Sequence, residues 1–169
     1  MIAYVKGKLK MIHDEAIVVE TGGIGYELIC SNPFHYQRHL AQEVMVHTYF
    51  HVREDAQILY GFKDADEKLL FKKLISVSGI GPKSALGILG AADIPSFVAA
   101  VENEDEKYLT TFPGVGKKTA RQIILDLKGK LSATFQLTPQ QEESHAEKQG
   151  ALLEAKEALK ALGYTEKEL

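Results

Sequence analysis

The sequence predicts a multidomain chain: an all-β barrel, an all-α domain, a flexible polar linker and the start of a small C-terminal helical domain. Three observations predict it. Runs rich in Val, Ile, Tyr and Phe, often alternating with polar residues, fill residues 2–62. From Asp64 onward the apolar spacing becomes helical. The octet SGIGPKSA at Ser78–Ala85 then returns as PGVGKKTA at Pro113–Ala120.

Length and composition leave room for this plan. With 169 residues, 45% of them hydrophobic, the chain can build one large core or two or three small ones. No run of 18 or more apolar residues occurs, so no membrane span is expected. The N-terminal MIAYVKGKLKM lacks the long apolar stretch of a secretory signal. The single Cys30, in the apolar run YELIC, can form no internal disulfide. It reads as a buried, reduced thiol, and the expected location is cytoplasmic.

The strands are expected at Ile2–Met11, Ala16–Thr21, Tyr26–Cys30, Val44–Val52 and Gln57–Phe62. GGIG at Gly22–Gly25 is a turn, and Pro33–Leu40 a short helix or loop. Five short strands within residues 1–63 predict a small barrel such as an OB-fold. Such barrels often bind oligonucleotides, although a fold alone does not prove a function. In residues 64–131, Leu69, Leu70, Lys73 and Leu74 fall on helical spacing, as do Phe97, Ala100 and Val101, and then Ile123, Ile124 and Leu127. Four or five short helices are expected there. Residues 132–149, rich in Gln, Glu, Ser and Thr, read as a flexible linker. In 150–169, Leu152, Ala155, Leu159 and Leu162 mark one apolar helix face, with Gly163 a C-cap candidate. Thr165–Glu168 has the pattern that opens another helix, so this last domain reads as incomplete.

The repeat carries the functional argument. At an offset of thirty-five, Leu74 aligns with Leu109, Val77 with Phe112, Gly79 with Gly114, Gly81 with Gly116, Lys83 with Lys118, Ala85 with Ala120 and Ile88 with Ile123. Two close glycines allow a tight turn with positive φ and leave room for a close approach. The next helix then begins at Pro82 or Lys117. Its free N–H groups make an anion site, and phosphate is the expected anion. Lys83, Lys117 and Lys118 add positive charge to a first turn where lysine opposes the helix dipole. Accepting that cost twice points to a ligand. Ser84 and Thr119 lie in the same two turns and join the candidate contacts. This is the helix-hairpin-helix pattern, a sequence-independent binder of the DNA backbone. The competing account, two ordinary corners with glycine for packing, leaves the matching lysines unexplained.

The charge distribution agrees. The net charge of −3 by itself argues against a nucleic-acid binder. Residues 64–131, however, carry ten basic and nine acidic residues, against six and seven in 1–63 and four and seven in 132–169. Lys68–Ala92 holds four lysines and no acid, and Lys107–Leu125 holds three lysines and Arg121, again with no acid. Local charge sets local binding, since salt screens fields beyond about 10 Å.

Other chemistry is less well supported. The P-loop pattern fails: Thr111 stands where its first glycine should be. Gly23-Ile-Gly25 lacks the third glycine of a dinucleotide fingerprint, with Leu28 in its place. His35 and His39 are four apart without an adjacent Glu and read as surface residues rather than metal ligands. No cofactor, metal or catalytic set is expected. In HVREDAQILYG, His51–Gly61, the acids Glu54 and Asp55 fall at a hairpin tip. Spacing alone favours a solvated polar turn.

The order of domains, together with MI..V.G at the N-terminus, GG.GYE at Gly22–Glu27, VREDAQ.LYGF at Val52–Phe62, G.GPK.A..IL at Gly79–Leu89, PG.GKKTA at Pro113–Ala120 and ALGY at Ala161–Tyr164, resembles the RuvA family, the Holliday-junction-binding subunits of bacterial branch-migration complexes. The resemblance implies a homotetramer, or two stacked as an octamer, whose face holds a four-way DNA junction open and roughly planar during recombination and repair. It implies that the two hairpins grip the arms by their phosphates. It also implies that Glu54 and Asp55 form an acidic pin at the centre, which makes them more than turn residues. The third domain of the family contacts RuvB, a hexameric ATPase that supplies the catalysis, and a RuvC resolvase joins a larger complex. Two other classes compete with this non-catalytic scaffold. One is a repair glycosylase or nuclease that uses the hairpins for grip, and the other is an RNA-binding module.

Overall fold

The computed structural model describes residues 1–135. Contacts divide the chain into one compact unit at Met1–Leu131 and a second at Ser132–Leu169, and the first is described below. Most of the predicted linker and the whole predicted C-terminal helical domain lie outside the described residues.

Five strands, β1 (Tyr4–Ile12), β2 (Ala16–Thr21), β3 (Ile24–Cys30), β4 (Glu43–Val52) and β5 (Gln57–Phe62), close a barrel in the order β1-β2-β3-β5-β4. All neighbours are antiparallel except β3 and β5, which run parallel and pair only Ile29 with Tyr60 and Cys30 with Gly61. The alternation in the sequence becomes the inside of the barrel: Val5, Leu9, Ile17, Val19, Leu28, Cys30 and Val46 share one core. Gly22 and Gly23, at φ of 59° and 81°, make the β2–β3 turn. The first strand starts at Tyr4 rather than Ile2. The Ile2 carbonyl accepts from the Thr48 hydroxyl at 2.8 Å and the Ala3 carbonyl from the Thr48 N–H at 3.0 Å. Those bonds hold the leading residues against β4 and satisfy the buried threonine. Pro33–His39 forms a 3-10 helix.

Five helices follow: α1 (Ala65–Ile75), α2 (Pro82–Ala91), α3 (Ile94–Glu102), α4 (Glu106–Leu109) and α5 (Lys117–Leu127). Leu70, Phe71, Leu74, Ile88, Phe97, Val101, Leu109, Ile123 and Leu127 are at most 2% exposed and form their core. Phe71 of α1 joins the helices to the barrel. Its ring centroid lies 5.5 Å from Tyr49, 5.2 Å from Tyr60 and 4.9 Å from Phe62. The buried Glu67 carboxylate accepts from the Lys63 backbone N–H at 3.1 Å and meets the Lys63 ammonium at 3.2 Å, which fixes the barrel-to-helix corner.

Candidate nucleic-acid interface

The repeat in the sequence is a repeat in geometry. Helices α1 and α2 form the first hairpin, and α4 and α5 the second. Val77 and Phe112 end the leading arms, and their carbonyls accept from the N–H groups of Ile80 and Val115, both at 3.1 Å. The Ser76 hydroxyl donates to the Lys73 carbonyl and the Thr111 hydroxyl to the Tyr108 carbonyl, both at 2.6 Å. Gly79 has φ 90° and Gly114 φ 77°, a conformation in which a Cβ is strained. Gly81 (φ −92°, ψ 172°) and Gly116 (φ −87°, ψ 174°) are extended N-caps. Only the first glycine of each pair therefore has the positive φ that the turn needs. The second needs none.

The second glycine matters for what it lacks. Helices α1, α3 and α4 begin with Asp64, Asp93 and Asp105, whose carboxylates accept from the N–H groups of Glu67 (2.8 Å), Ser96 (2.9 Å) and Tyr108 (3.0 Å). Helices α2 and α5 begin with glycine, with no side-chain cap and no acid in the first turn. The helical ladders start with Ala85 N–H to Gly81 O (3.0 Å) and Ala120 N–H to Gly116 O (2.8 Å). The N–H groups of Lys83 and Ser84, and of Lys117, Lys118 and Thr119, precede those bonds. A Cβ built on Gly79, Gly81 or Gly116 would meet nothing within 4 Å. Among the described residues, these three glycines make room for no other part of the protein, and their open side admits an outside group. Lys83, Lys117 and Lys118 lie in the first turns of these helices, and all three are exposed. Two helix N-termini with free donors, a positive dipole end, flanking ammonium groups and no steric cover suit a phosphate each.

Ser84 and Gly114 also bind the hairpins to each other. The Ser84 hydroxyl lies 3.3 Å from where a Cβ on Gly114 would stand, and Pro113 Cγ lies 3.1 Å from one on Gly87. Thr119 is half-buried and the Ser84 hydroxyl faces the second hairpin, so their backbone amides are better placed for a ligand than sequence position alone conveys. Two cations of the acid-free windows are committed elsewhere. Lys68 donates to the Ala3 carbonyl at 3.0 Å. Burial, and then the neighbouring Lys72, lowers its pKa. Arg121 on α5 pairs with Glu106 on α4 at 2.9 Å, bracing the second hairpin. Those partners stand just outside the windows or far along the chain, and only the fold brings them close.

Glu54 and Asp55 occupy the tip of the β4–β5 hairpin, which the Arg53 N–H closes by donating to the Ala56 carbonyl at 2.8 Å. Arg53, Glu54 and Asp55 are all exposed. Behind the tip, burial pushes the Tyr60 phenol upward, partly offset by the Arg53 charge. The tip is part of the barrel and the two glycine turns are part of the helical region.

Comparison with known proteins follows the same division. Residues 1–61 match the family model described as the RuvA N terminal domain, and residues 71–129 match the SAM-like helix-hairpin-helix tandem. A curated protein of Oceanobacillus iheyensis is 62% identical over the whole of this chain and 86% of its own length. Relatives in Staphylococcus aureus and Shouchella clausii are each 51% identical over the whole chain, across 86% and 85% of their lengths. All three carry the name Holliday junction branch migration complex subunit RuvA. With barrel, duplicated hairpins and identity across the whole of this chain in agreement, the chain belongs to the RuvA family.

Proposed function

We propose that this protein is the junction-binding subunit of a branch-migration complex. It binds four-way DNA without regard to base sequence and holds it open and planar for a ring ATPase. The observation that carries this reading is the pair of equivalent turns in which glycine replaces the aspartate cap and lysines replace first-turn acids. Backbone amides and ammonium groups recognise phosphate, which every sequence presents alike. The names of the curated relatives support the same assignment. Residues 1–63 serve as barrel and acidic tip, and 64–131 as the phosphate grip. Residues 132–149 act as linker and 150–169 as part of the contact to RuvB. The protein shapes DNA while ATP hydrolysis belongs to RuvB, and a RuvC resolvase acts on the same junction.

Glu54 and Asp55 sit at the junction centre in this reading, repelling phosphates where strands exchange. Four copies in a ring give the grip its strength, since each clamp engaged raises the effective concentration of the next. Light scattering at micromolar concentration is expected to give a tetramer or octamer, and a monomer alone would count against the ring. Titration of junctions with the Lys83→Ala/Lys118→Ala variant tests the grip. Every phosphate that the variant no longer neutralises lowers the log–log salt slope by about 0.9, for junctions of any sequence. An unchanged slope would remove the hairpins from the interface, and strand cleavage or base excision during the titration would favour a repair enzyme.

A further inference from the structure

The β4–β5 hairpin carries more than its acids. Val52, the last residue of β4, is 58% exposed directly beside the tip. The preceding His51 projects from the opposite face of the ribbon, because successive side chains alternate. It stands across from Ile58 of β5, and both are half-buried. The His51 ring is backed by a chain of rings. Its centroid lies 6.3 Å from Tyr49 and 6.2 Å from Tyr60, and Tyr60 lies 5.2 Å from Phe71 on α1. A side chain braced in this way presents a fixed surface rather than a mobile one.

We propose that the flanks of this hairpin receive unpaired nucleobases, with His51 and Ile58 forming one shelf and Val52 the other. The inference rests on the reading that Glu54 and Asp55 lie at a junction centre. A pin that separates two strands has a strand on each side. Its two carboxylates push phosphates away from the tip, so the groups left to face the ribbon are the bases. Bases are neutral, flat and only weakly hydrated on their faces, which matches an imidazole and an isopropyl group and does not match a phosphate. Base faces stack on rings whatever the sequence, and an apolar side chain can wedge beside an unstacked step. The hairpin would then hold open bases on its flanks as well as repel backbone at its tip.

The test uses the full chain and two four-way junctions. One carries a single unpaired thymidine in each strand at the crossover, and the other an abasic residue at the same places, so the phosphates are equal in number. The protein is expected to prefer the thymidine junction by about threefold or more. Val52→Ser and His51→Ala should each bring that ratio toward one. Val52 is exposed, so its variant keeps the test valid if the histidine variant melts early. A wild-type ratio of one, or a ratio retained in both variants, overturns the base shelf while leaving junction binding intact. A fall in oligomer mass for Val52→Ser also overturns it, since a second copy would then cover that residue. A chain that binds no junction at all overturns this inference together with the reading beneath it.

Discussion

Gly81 and Gly116 hold the position that Asp64, Asp93 and Asp105 hold on other helices, but bring no oxygen to it. Gly81→Asp with Gly116→Asp should therefore separate stability from binding. Both sites have extended backbone and open space, so aspartate fits without strain. Each cap should stabilise the fold by about 0.5–1 kcal/mol through the missing hydrogen bond and the helix dipole. The same carboxylates would occupy and repel the phosphate site, so DNA affinity should fall as the melting temperature rises. Unchanged affinity in a stabilised variant would take the phosphate away from these turns. Cys30 gives a second prediction. Burial, and then the charge of Glu67, pushes its thiol from 9.0 to about 12. The unfolded chain then loses this proton first, so the folded state is favoured fully below pH 9.0 and that contribution is lost as pH rises to about 12. Burial also raises the Tyr36 phenol, which acts in the same direction. Unfolding titrations across this window should show stability falling with pH, less steeply in Cys30→Ala; an equal slope would assign the loss to other groups.

Helix α2 meets the turn of the second hairpin where Gly87 faces Pro113 and Ser84 faces Gly114. A Cβ at Gly87 would already stand 3.1 Å from Pro113 Cγ, and Gly87→Val adds two further carbons. Overpacking of this kind costs about 1–3 kcal/mol, measurable by denaturant unfolding. It should also weaken junction binding, because it shifts one of the two proposed phosphate turns against the other. Full affinity in a destabilised variant would show that the spacing of the turns is not critical. The elements themselves were largely legible. Runs rich in Val, Ile, Tyr and Phe at Ala16–Thr21 and Gln57–Phe62 marked both strands to the residue, and the repeat placed the starts of α2 and α5 at Pro82 and Lys117. What was not legible depends on distant partners. Helix α4 is a single turn, although the leading arm of the first hairpin, α1, has 11 residues, because Glu104 at φ 55° and the Asp105 cap interrupt the chain. The Arg121–Glu106 pair, the Ser84 seam and the ring chain from His51 to Phe71 follow from packing and strand register, which local periodicity does not encode.

For the molecule as a whole, a net charge of −3 coexists with a DNA grip because the charges are sorted by place. Glu54→Gln with Asp55→Asn keeps the shape of the tip and removes its charge. In the proposed ring of four copies this should tighten binding to duplex and junction alike and reduce the preference for junctions. The effect should be largest at low salt, where the Debye length approaches about 30 Å at 0.01 M. Side-by-side titration of junction and duplex checks it; if neither affinity moves, the tip is a solvated turn. The way the barrel closes has a consequence of another kind. β1, β2 and β3 form one meander and β4 with β5 one hairpin, each able to form from local contacts. Two seams join them: β1 with β4 through five paired residues, and β3 with β5 through two. The shorter seam should be the last to form and the first to breathe. Cys30 lies on it, its Sγ 3.0 Å from where a Cβ on Gly61 would stand. The protein's single cysteine is thus a built-in reporter, and the rate at which a thiol reagent labels it measures how often β3 and β5 part.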